Sequence, residues 1–229
     1  MSAVLLVPGS WHGAWCWDDV LDRLTAAGVA ARAIELPSNE GAAGLADDAA
    51  AVRTALAATG EPTVVVGHSY SGIAISEGAA GAAGLVYLCA FMLDEGEALL
   101  DAMQHQLPDW IEVDEQAGSH LATRTDEVLY ADCPPDVAAA AGARLTRQSV
   151  AAIATPQSAA AWKTVPSTYV VCEQDRAVPP PAQEAMSGRA GTVHRLPSSH
   201  SPFFSLPDTV AEIVVDTLRR CSSPSPSTT

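Results

Sequence analysis

Three side chains far apart in the chain, Ser69, Asp175 and His200, are of the types that together turn an alcohol into a nucleophile. A serine hydroxyl attacks a carbonyl poorly until a base takes its proton, and the base works best when a carboxylate fixes its tautomer. The order Ser, Asp, His is the one used where the serine stands on a turn between a strand and a helix. Ser69 lies in such a place. Gly67-His68-Ser69-Tyr70-Ser71-Gly72 follows Thr63-Val64-Val65-Val66 and precedes a run of small residues. The G-x-S-x-G pattern is incomplete, because Ser71 stands at the second glycine, but Gly72 follows one residue late and still allows a close strand–helix approach.

His200, in Pro197-Ser198-Ser199-His200-Ser201-Pro202, falls in the loop after the last apolar run and overhangs the edge at which the serine turn points. Asp175, in Glu173-Gln174-Asp175-Arg176, follows Thr168-Tyr169-Val170-Val171-Cys172 and is placed to orient the imidazole. Asp94 stays open as an alternative acid, whereas Glu173 lies too close to the strand to reach His200. His194 sits inside a strand, His68 is expected to point away from Ser69, and His105 and His120 fall in the 94–165 region. These four read as satisfied or solvent-exposed histidines, and none pairs at metal-ligand spacing, so no metal site is expected. The developing oxyanion needs two backbone donors, each contributing about 3 kcal/mol. The N–H of Tyr70 is one candidate. The other is the N–H of Ser10 in Pro8-Gly9-Ser10-Trp11-His12-Gly13, where Gly9 and Gly13 permit a close backbone approach.

Such a constellation needs a sheet whose strands end on one side. Apolar runs at 3–7, 29–34, 63–67, 84–90, 167–172 and 192–196 predict six strands, and helical stretches at 16–27, 46–58, 71–80, 181–188 and 207–221 alternate with them. The first five runs lack polar alternation, as strands covered on both faces should, and the alternating sixth predicts an edge. The fold class is therefore α/β: a mostly parallel six-stranded sheet with helices on both faces, and a helical lid inserted before the last two strands. Residues 1–93 and 166–221 form the core, 94–165 the lid, with helical pieces at 96–105 and 135–153, and 222–229 a disordered Ser-Pro-rich tail. Trp11, Phe91, Met92, Trp110 and Phe203 are candidates for an apolar substrate pocket. Trp15 and Trp17 read as anchors of the first helix.

The formal charge of −15 over 229 residues argues against nucleic acid and anionic membrane surfaces. Lys163 is the sole lysine, and its place beside Trp162 gives no support for Schiff-base chemistry. Five cysteines without a C-x-x-C pair, and no secretory leader before the first strand, predict free thiols in a cytoplasmic protein. Cys89 and Cys172 are expected to be buried as small hydrophobes.

Taken together, the stretch from Leu6 to Trp17, Val66-Gly67-His68-Ser69, Ala90-Phe91-Met92, Asp175 and Ser199-His200 resemble the α/β-hydrolase superfamily over about residues 3–218. Within it the chain resembles the plant methylesterase and hydroxynitrile lyase group and its small bacterial esterase relatives. That group usually carries a histidine at Pro8 and a glycine at Ser71. Its lyases carry a threonine at Gly9 and a lysine at Ser201, and the missing cation counts against cyanohydrin cleavage. The resemblance implies no metal and no organic cofactor. The expected activity is a carboxylic ester hydrolase acting through an acyl-enzyme on a small, largely apolar ester. A lyase or cyclase acting on a carbonyl, and a non-catalytic ligand-binding protein, are the alternatives. The expected partner is a small-molecule substrate, with a homodimer left open.

Overall fold

The computed structural model describes residues 2–222. In chain order the strands are β1 (Ala3–Val7), β2 (Ala30–Ala33), β3 (Thr63–His68), β4 (Gly84–Leu88), β5 (Ile111–Asp114), β6 (Ser119–Ala122), β7 (Gln148–Ser149), β8 (Ser167–Cys172) and β9 (Thr192–Leu196). The helices are α1 (Asp18–Ala26), α2 (Leu45–Ala57), α3 (Ser71–Gly78), α4 (Leu99–Ala102), α5 (Thr125–Val128), α6 (Pro135–Gly142), α7 (Val150–Ala154), α8 (Pro180–Ser187), α9 (Pro202–Ser205) and α10 (Pro207–Ser222). The main sheet runs β2-β1-β3-β4-β8-β9, with every neighbouring pair parallel.

Aliphatic strands buried on both faces explain this layering. Val4 and Leu6 of β1 pack with Val64, Val66, Val86 and Val170 under α1 and α10. Leu5 and Val7 face the other way and pack with Val65, Leu85, Tyr87 and Val171 under α2, α3 and α8. On that second face Tyr87 and Tyr169 stack with ring centroids 6.4 Å apart. Their hydroxyls are satisfied by Ser76 Oγ and the Ala90 carbonyl, at 2.8 and 2.7 Å. Cys89 and Cys172 are buried and free.

The strand order places the site. From β1 the chain crosses to β2 on one side and returns to β3 on the other, so the loops leaving β1 and β3 part at adjacent carboxyl ends. Such a switch point opens a crevice.

Three expectations change in detail. β9 is the predicted edge, but β2 is the opposite edge, with Ala30 and Arg32 exposed. Small side chains flanking an arginine bury little on a strand paired on one side only. The helix expected at 135–153 is broken: Gly142 closes α6, Gln148–Ser149 pairs with β6, and the Ser149 hydroxyl caps α7. The one at 96–105 is a single turn, α4, ended by Gln104 and His105, both with φ of 55°. The segment between β4 and β8 therefore carries a three-stranded antiparallel sheet, β5-β6-β7, besides its helices. Ser222 ends α10, and the tail expected beyond it lies outside the described residues.

Candidate active site

Ser69 stands between β3 and α3 with φ of 53°, in the left-handed region that a residue with a side chain adopts only when its surroundings over-determine it. The surroundings do so. The Ser69 carbonyl accepts from the N–H groups of Gly72 and Phe91 at 3.1 and 3.0 Å, and its own N–H donates to the Leu88 carbonyl at 3.2 Å. A Cβ at Gly72 would lie 2.3 Å from the Phe91 carbonyl oxygen, so Gly72 is the residue at which the helix passes the neighbouring chain. Ser71, at the usual glycine position, is put to use. Its Oγ accepts from the His68 N–H at 2.8 Å and lies 3.0 Å from the Val7 carbonyl, tying the turn to β1.

His200 and Asp175 meet Ser69 here. His200 Nε2 is 3.0 Å from Ser69 Oγ, and Nδ1 is 2.7 Å from Asp175 Oδ2. All three side chains are buried. Asp175 Oδ1 also accepts from the N–H groups of Ala177 and Val178, at 2.8 and 2.9 Å, and Oδ2 accepts from Gln183 Nε2 at 2.8 Å. These bonds hold the carboxylate in one orientation. Asp94, the alternative acid, is half-exposed and ion-paired with Lys163 at 2.5 Å, and Glu173 is exposed.

The loop bearing His200 is pinned from two sides. His68 does not point away: its Nε2–H donates to the His200 carbonyl at 2.8 Å, and the two rings lie 4.7 Å apart. Burial pushes His68 well below the ordinary histidine value, with the nearby His200 and His12 adding to the effect, so it stays neutral. From the other side Asp132 accepts both the N–H and the hydroxyl of Ser199. Burial alone would raise that carboxyl, but the Ser199 donors outweigh it and hold Asp132 below the usual carboxylate range.

The loop after β1 comes close to the serine turn. A Cβ at Gly9 would sit 2.7 Å from His68 Nδ1 and 3.0 Å from Ser69 Cβ. Ser10 and Tyr70, the expected backbone donors, line the same cavity as Ser69 and His200. Asn39 organises this loop. Its Oδ1 accepts from the Trp11 N–H at 3.1 Å, and its Nδ2 donates to the carbonyls of Gly9 and His12 at 3.0 and 2.7 Å. Trp11 itself has φ of 66°. His12 bridges the Ser10 carbonyl (2.9 Å) and the Tyr130 hydroxyl (2.8 Å), and burial pushes it down to about 4.

The cavity has a volume of about 40 Å³. Trp11, Phe91 and Trp110 line it, joined by Leu99, Met103, Leu107, Ile153 and His120. Met92 and Phe203 do not line it. Phe91 is held to the Ser69 carbonyl, so the next side chain, Met92, turns into the sheet core. Phe203, in the short helix after His200, packs on Trp17 and edge-on to His68 beneath the site. His120, expected to be satisfied or exposed, is buried in the cavity wall. His105 is exposed and paired with Asp101, and His194 lies on β9 away from the cavity. In the sequence Asn39, Asp132 and Gln183 show only as polar residues in or near turns, with nothing to mark their distant partners.

Among the described residues, His68, Cys89 and His200 form one group of metal-ligand types within 4.8 Å. His200 is committed through both nitrogens, to Ser69 and Asp175, and His68 through Nε2 to a carbonyl. No helix among the described residues is long and apolar enough to cross a membrane.

Known proteins share this arrangement of elements. An α/β-hydrolase from Aspergillus novofumigatus is 33% identical over 93% of this chain and 94% of its own. A pyrethroid hydrolase from Sphingobium faniae is 22% identical with a TM-score of 0.81, over 96% of this chain and 98% of that one. A methylesterase from Arabidopsis is 20% identical with a TM-score of 0.79, over 96% and 100%. The model of the Alpha/beta hydrolase family matches residues 4–213. With that match spanning nearly the whole sheet, the chain belongs to the α/β-hydrolase family.

Proposed function

We propose that this chain is a serine hydrolase cleaving a small, largely apolar carboxylic ester through an acyl-enzyme. What carries this reading is one imidazole with its two nitrogens engaged, Nε2 at 3.0 Å from Ser69 Oγ and Nδ1 at 2.7 Å from a buried Asp175. Relatives that are hydrolases and esterases by name support the reaction class.

Ser69 Oγ attacks the ester carbonyl as His200 Nε2 takes its proton. Asp175 holds Nδ1–H and stabilises the imidazolium. The N–H groups of Ser10 and Tyr70 bind the oxyanion, and their fixed position means no reorganisation is needed as charge develops. His200 then protonates the departing alcohol. Water, deprotonated by the same nitrogen, attacks the acyl-enzyme and releases the acid. The 94–165 segment acts as the lid: Leu99, Met103, Leu107, Trp110, His120 and Ile153 of the cavity wall come from it. An apolar wall of that kind excludes water and favours an apolar ester.

The test is hydrolysis of 4-nitrophenyl butyrate by the purified protein. Ser69→Ala is expected to reduce turnover to background, and a fluorophosphonate to label Ser69. Turnover that survives the substitution overturns the assignment.

A further inference from the structure

The cavity wall holds one polar group that the proposed mechanism leaves unused. His120 lies on β6, is 1% exposed, and lines the cavity together with Ser69. Its Nδ1 and its backbone carbonyl oxygen each lie 3.2 Å from Trp11 Nε1, so the indole N–H is shared between them. An indole N–H can only donate, so Nδ1 carries the lone pair and the ring proton sits on Nε2. Burial pushes this imidazole down to about 4, which keeps it neutral near pH 7. Nε2 is buried and has no hydrogen-bond partner among the described residues. The cavity that His120 lines is walled mostly by apolar side chains, among them Trp11, Met103, Trp110 and Ile111. A buried donor is costly to leave unpaired, and in an apolar wall the acceptor that satisfies it arrives with the ligand.

We propose that His120 Nε2–H is a specificity-determining donor: the preferred substrate carries, besides the scissile ester, a second acceptor oxygen (ketone, ether or further ester) that reaches His120 when the ester carbonyl is at Ser69. This rests on the serine-hydrolase reading above. A site built to pair a buried donor discriminates against an analogue that lacks the acceptor far more sharply than an apolar wall discriminates by size. Gln148 is the competing partner. It faces His120 across the β6–β7 ladder, and its Oε1 is likewise without a partner among the described residues. Gln148, however, does not line the cavity.

Matched esters test this, with acid release followed in a pH-stat. Methyl alkanoates are compared with methyl oxoalkanoates of equal length, and alkyl butyrates with alkoxyalkyl butyrates. At least one oxygenated ester is expected to exceed its hydrocarbon match about 10-fold in kcat/KM. His120→Phe is expected to remove that preference. His120→Gln, whose amide can accept from Trp11 and donate into the cavity, is expected to keep part of it. No preference in any pair, or a preference that survives His120→Phe, overturns the proposal. An equal loss on both members of every pair also overturns it, because that is the signature of a structural link to Gln148. A binding arm separates this result from failure of the hydrolase reading. In Ser69→Ala protein, 2-heptanone but not heptane is expected to shift the His120 Nε2–H proton resonance. Absence of that shift counts against His120 whatever the esters do.

Discussion

Ser69 joins a nucleophile's position to a strained backbone. Its φ of 53° costs a residue with a side chain on the order of 1–2 kcal/mol, which the bonds from Gly72 and Phe91 to its carbonyl offset. Ser69→Gly is therefore expected to abolish turnover yet raise the melting temperature by a few degrees, measured by calorimetry. A lower melting temperature would show that the hydroxyl contributes more to packing than the strain costs. Asp175 gives a second test. Asp175→Asn keeps the shape but offers His200 Nδ1 an amide, which favours the wrong tautomer, and kcat is expected to fall about 10⁴-fold. Asp94→Asn, which removes one charge of an exposed pair with Lys163, is expected to leave kcat within about 2-fold. The reverse outcome would move the acid's role to Asp94.

Among the elements, the loop after β9 depends on residues far away in sequence. Asp132, from the segment between β4 and β8, binds Ser199 through both carboxylate oxygens, and His68 binds the His200 carbonyl. Asp132→Ala frees one side of that loop without entering the cavity. Steady-state kinetics should then show kcat lowered about 10-fold at a nearly constant KM, because His200 is misplaced more often while the pocket walls stay. A rise in KM alone would assign Asp132 to lid packing instead. The strand–helix turn gives a stability test. Gly72→Ala forces a methyl group against the Phe91 carbonyl, and a loss of about 3 kcal/mol or outright misfolding is expected in urea titration. Ser71→Ala leaves the His68 N–H without its acceptor and is expected to cost about 1–3 kcal/mol.

For the whole molecule, buried neutral histidines are expected to contribute to acid lability. Burial holds His12 and His120 down to about 4, against an unfolded value near 6.5. The unfolded chain therefore binds more protons below 6.5. The stability tied to these groups is intact above that pH and is lost progressively as pH falls toward 4, by a ceiling on the order of 3 kcal/mol for each. Urea midpoints are expected to drop between pH 7 and pH 5, and the drop to shrink in His12→Gln. An unchanged drop would assign acid lability to other groups.

Local chemistry made much of this protein legible in its sequence. Runs such as Thr63–Val66 and Thr168–Cys172, short and rich in β-branched residues, read as strands buried on both faces, and small residues on either side of Ser69 imply a turn tight enough to expose a hydroxyl. Asp175 and His200 were recognisable because each follows a strand, where a parallel sheet collects its loops at one edge. Burial and partner choice between distant segments belong to the tertiary structure alone. Phe91 lines the cavity and Met92 does not, since one backbone bond sets the alternation of their side chains. Asn39 becomes the brace of the loop after β1, and His120 a buried donor in the cavity wall, only once packing removes water and leaves each polar atom with the neighbours the fold supplies.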